Sequence, residues 1–92
     1  MIVIRSDLTG QERRRDKIRK LTEAVERRGD EARHNGNHLD AASNYRKASE
    51  LWRKLGMLNG TPPTARAQCF DNWIEYNRLY TREKALANSI RH

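Results

Sequence analysis

Cysteine occurs once in this chain, at Cys69, which excludes an intramolecular disulfide and fits a reducing compartment. Apolar residues are scarce, at 36% of 92 positions, and aromatics make up only 7%. No apolar run approaches the ~20 residues of a membrane-spanning helix. The opening MIVI is too short for a secretory signal and is followed by charge. These shortages lead to the expectation of a soluble, cytoplasmic protein with no membrane partner. Strand-like sequence is limited to residues 1–6, MIVIRS. That segment is expected to be extended, and to pair across a dimer if it pairs at all.

Catalytic patterns are also missing. Cys69 has no His or acidic residue at a readable spacing, and a free cysteine behaves as a small hydrophobe. His34 and His38 stand four apart, but a chain break between them removes the shared helix face that metal binding would need. Gly56 and Gly60 precede Pro62 and Pro63 and lack the lysine of a phosphate-binding loop. The expectation is a protein that is not an enzyme and carries no cofactor.

Charge is what the chain has in quantity. Charged residues are 34% of the total and the net charge is +7. A domain of this size buries only roughly 60–65% of its unfolded surface. A thin core and a helping partner or second copy are therefore expected. Residues 12–20, ERRRDKIRK, hold six basic and two acidic residues. Arg13, Arg14, Arg15, Lys17, Arg19 and Lys20 are the strongest functional signal. On a helix they leave Ile18 and Leu21 for the inner face. Three readings compete for them: a solvated face, a phosphate-binding face, and a dock for an acidic protein patch.

Helical periodicity organises the rest into one domain over residues 1–92. Thr9 and Glu12 fit a capping box, so a helix is expected from about 9 to 35. Ile18, Leu21, Val25 and Ala32 mark its apolar stripe. Gly29 lies inside it, a costly placement unless a neighbour must come close. Asn35-Gly36-Asn37 is a stop signal. A second helix is expected over about 38–55, with Ala41, Tyr45, Ala48, Leu51, Trp52 and Leu55 on its apolar face. The connection 56–61 is rich in glycine. A long third helix is expected over about 62–88, with Thr61 as N-cap and Pro62 as first helical residue. On it, Trp73, Tyr76, Arg78, Leu79, Tyr80 and Arg82 are the candidates for a protein interface, because exposed Trp, Tyr and Arg side chains anchor interfaces. Core packing is the competing reading, and is the one favoured for Trp52 and Trp73.

Gly29 and Ala32 on one helix, a turn at Gly36, and Ala41, Tyr45 and Ala48 on the next form a recognisable series. Over about residues 22–55 it resembles a tetratricopeptide repeat, although Arg28 and Arg53 occupy positions where that family has an aliphatic residue and a proline. The resemblance implies an all-α fold: an antiparallel hairpin of close-packed helices plus the long C-terminal helix. One such repeat cannot bury its own face, so a third helix or a second chain must cover it. Gly36, Ala41-Ala42, Tyr45, and Cys69 after Arg66 also resemble the layout of PerC-type regulators of enteric bacteria and their prophages, with Tyr45 where that family has tryptophan. That likeness implies transcriptional control. The function expected is binding to another regulator, as a prophage antirepressor or accessory activator would bind it. The alternative is direct nucleic-acid binding through Arg13 to Lys20.

Overall fold

A computed structural model describes residues 10–90. Those residues form three helices and no strand: α1, Gly10–His34; α2, His38–Met57; and α3, Pro63–Ile90. The extended reading of residues 1–6 and the Thr9 cap fall outside the described residues.

The link between α1 and α2 is short, and the N–H groups of Asn35, Gly36 and Asn37 all donate back into the end of α1. Gly36 takes φ 77°, the left-handed region that a side chain resists. Its N–H donates to Arg33 O at 3.0 Å, and Asn37 N–H donates to Ala32 O at 2.8 Å. This pair of bonds is the Schellman closure of a helix end. Asn37 then caps α2: its side-chain oxygen accepts from Asp40 N–H at 3.2 Å. One residue thus ends the first helix and begins the second.

The link between α2 and α3 differs from the expectation in two ways. Gly56 belongs to the helix and is buried, and α2 continues to Met57. Thr61 does not act as an accepting cap. Its hydroxyl donates to Leu58 O at 2.8 Å and Leu55 O at 3.2 Å, which ties off the end of α2. α3 accordingly starts one residue later, at Pro63, with Pro62 O accepting from Arg66 N–H.

α2 is the central element and packs along both α1 and α3. Both neighbours run antiparallel to it. On one side Glu26 meets Trp52 while Asp30 meets Tyr45. On the other, His38 meets Glu83 while Ser49 meets Asn77. The buried apolar side chains are Val25, Ala32, Ala41, Ala42, Tyr45, Ala48 and Leu55. Four of these are alanines, so the helices approach closely but bury little hydrophobic area per residue. Tyr45 is fully buried and stands where the three helices meet. Its hydroxyl donates to Asp30 on α1 at 2.6 Å, and its ring lies 5.8 Å from that of Tyr76 on α3.

Candidate docking surfaces

The basic run divides into four residues on one face and two on another. Successive residues of a helix turn by roughly 100°. Arg13, Arg14, Lys17 and Lys20 therefore share one exposed arc of roughly 120°, while Arg15 and Arg19 fall on the flank towards α3. Arg15 is half-buried and clasps the α2–α3 link. Its guanidinium donates to Asn59 O and to Thr61 Oγ1, both at 3.4 Å, while its Nε is buried without a partner. Lys20 lies 3.7 Å from Asp16, an exposed pair that contributes little. Leu21 is not an inner residue: half of its surface is exposed. Thr22 takes that place, fully buried, with its hydroxyl donating to Ile18 O at 2.6 Å.

The aromatic candidates on α3 also divide. Tyr76, Leu79 and Tyr80 pack against the core formed by Ala32, Ala41 and Tyr45. Trp73 is half-buried, edge-on to Phe70 at 6.2 Å and under the Arg53 guanidinium at 5.8 Å. Tyr80 is flanked by Arg46 at 5.7 Å and Lys84 at 5.6 Å. Arg78 and Arg82 are exposed on the other side of α3, and Arg78 lies 3.7 Å from Glu75. The aromatic residues are partly buried, and the two arginines belong to a separate surface.

A polar seam that the sequence pattern did not single out joins the helices at Glu26 and Asp30. Glu26 accepts from the Trp52 indole at 2.6 Å, and Asp30 accepts from Tyr45. Burial, reinforced by these carboxylates, pushes the phenols of Tyr45 and Tyr76 well above their ordinary range. The available signal was spacing: Glu26 and Asp30 stand four apart, flanking the inward Gly29. Farther along, Glu83 is fully buried, with one carboxylate oxygen 2.7 Å from His38 Nδ1 and the other without a partner. His38 is therefore engaged with α3. Among the described residues no cluster of His, Cys, Asp and Glu is placed to hold a metal. Cys69 is half-buried, and burial raises its thiol pKa against the opposing pull of Arg15.

Besides a groove of about 470 Å³ bordered by Leu39, Arg46, Tyr80 and Lys84, two grooves run along α2. One, of about 350 Å³, lies over the α2–α3 link between Arg15, Arg19, Trp52 and Cys69. The other, of about 570 Å³, lies between α1 and α2. Leu21, Val25, Leu51 and Met57 form its apolar floor. Arg28, Lys47, Arg53 and Lys54 surround that floor, with Glu50 the single acid. Among the described residues no helix is long and apolar enough to cross a membrane. No family model, curated protein or solved structure matches the chain.

Proposed function

We propose that this chain is a non-catalytic docking protein that binds a second protein through its helical surface and alters that protein's activity. Its PerC-like layout makes a transcriptional regulator the partner class. The observation that carries the reading is the set of large aliphatic side chains left exposed among cations. Leu21 and Met57 stay at least half exposed beside Arg28, Lys47 and Lys54, and Leu39, at the other end of α2, is exposed beside Arg46 and Lys47. Apolar side chains grouped beside charge mark protein contacts rather than phosphate contacts. Direct nucleic-acid binding through Arg13 to Lys20 is the weaker reading. Arg15 and Arg19 turn away from the other four cations, and Arg15 is occupied within the chain.

The experiment is affinity capture from a lysate of the native host, with and without nuclease, followed by reconstitution with the purified captured protein. A protein retained after nuclease that rebinds in purified form supports the docking function. Loss of every captured component on nuclease treatment transfers the function to nucleic-acid binding.

A further inference from the structure

The groove between α1 and α2 has features that select its occupant. We propose that it receives an acidic amphipathic α-helix from a partner protein. This inference rests on the docking function above and gives that function a site and a partner chemistry.

The floor comes first. Leu21 and Val25 stand one turn apart on α1, about 6 Å along the axis, and Leu51 to Met57 cover about 9 Å of α2. Met57 is 61% exposed and Leu21 50%. An apolar trough of about two turns between two helices matches the anchors of a helix at i, i+3 or i+4, and i+7. An extended peptide has less to gain. Strand addition needs an open sheet edge, and the described residues form helices alone, with their backbone groups bonded internally.

Charge decides the rest. Arg28 from α1 and Lys47 and Lys54 from α2 flank the trough from both sides, and none is in an ion pair among the described residues. Arg53 is held over Trp73, and Glu50 is directed to Arg46 at 3.5 Å on its own helix. The unpaired charge around the floor is therefore positive on both walls. A helix carrying Glu or Asp beside its apolar stripe would pair with these cations, which mainly sets specificity and association rate. A second copy of this chain would bring its own +7 charge into the same place. Nucleic acid would meet the cations but leave the leucine and methionine floor unused.

The test uses the full chain and a synthetic probe. The probe is a staple-stabilised peptide of roughly 16 residues, because free helices of about that length are marginal in water. It carries Leu at i, i+3, i+7 and flanking Glu. One control scrambles the order at fixed composition, and another replaces Glu by Lys. Expected are binding of the acidic helix alone, with NMR shifts centred on Leu21, Val25, Leu51 and the Met57 methyl. Lys47→Glu with Lys54→Glu should weaken it about tenfold and favour the Lys-bearing helix. Both lysines are at the surface, so the fold is preserved, and Leu21→Asp provides a second variant that removes the floor. Equal binding of the scrambled peptide, shifts centred on Arg13 to Lys20, or no binding overturns the proposal. Self-association that Leu21→Asp abolishes also overturns it, by making a second copy the occupant. A captured partner held equally by wild type and the double-lysine variant overturns this groove while leaving the docking function intact.

Discussion

Gly29 shows how a residue that weakens a helix can hold two helices together. A Cβ built there would lie 2.7 Å from Tyr45 Cε1 and 2.9 Å from Cδ1. The ring cannot swing aside, because it is fully buried and its hydroxyl is bonded to Asp30. Gly29→Ala gains ~1 kcal/mol of helix propensity and incurs an overpacking cost of ~1–3 kcal/mol. A lower Tm is the expected result in thermal unfolding, and an unchanged or higher Tm would refute the close approach. His38 and Glu83 give the second residue-scale prediction. Glu83 is fully buried and His38 is its only side-chain partner in the described bonds. His38→Ala leaves that buried carboxyl group without its hydrogen-bond partner and should cost about 1–3 kcal/mol, whereas adding Glu83→Leu should recover much of the loss. Urea unfolding of both variants checks this, and a neutral His38→Ala would show that the pair contributes nothing.

At the scale of elements, the small residues of α2 set the spacing of all three helices. Ala41 and Ala48 are fully buried. Ala41→Leu or Ala48→Leu should each destabilise by ~1–3 kcal/mol, seen as a lower urea midpoint. An unchanged midpoint would mean that the helices do not cross tightly there. The tyrosines at the junction make stability depend on alkaline pH. The folded-state pKa values of Tyr45 and Tyr76 are raised above the ordinary phenol value near 10. Their contribution is therefore complete below about pH 10 and is lost as pH climbs from there through the folded values, because the unfolded chain ionises first. Stability followed by circular dichroism should fall above about pH 10, and Tyr45→Phe should make that fall shallower. An equal slope in the variant would place Tyr45 outside the buried junction.

Element order was legible because each boundary has a local cause. Gly36 ends one helix by its left-handed backbone, and Asn37 starts the next by its side chain. The end of α2 was less legible: Gly56 looks like loop composition, but α3 approaches it so closely that an added Cβ would lie 3.1 Å from Cys69 Cβ. Thr61 likewise has the sequence of an accepting cap and the geometry of a donor. Charge misled most at α1. The run from Arg13 to Lys20 is contiguous in sequence, yet helical twist separates Arg15 and Arg19 from the other four cations. Leu21 and Thr22 exchanged roles because periodicity alone does not reveal which flank α2 will cover. The apolar groove was invisible for the same reason, since Leu21, Leu51 and Met57 meet only once two helices are side by side.

For the whole molecule, a flat arrangement around α2 leaves a trough between α1 and α2 and places unpaired cations along it. The central claim is that this surface docks a protein. The most direct measurement is quantitative capture from nuclease-treated lysate of the native host with three baits: wild type, Lys47→Glu with Lys54→Glu, and Arg13→Glu with Lys17→Glu. The account predicts one protein retained by the wild type and by the α1 variant, rebinding when purified, and lost from the double-lysine variant. Loss of all binding in nuclease, or loss only from the Arg13→Glu and Lys17→Glu bait, would contradict it.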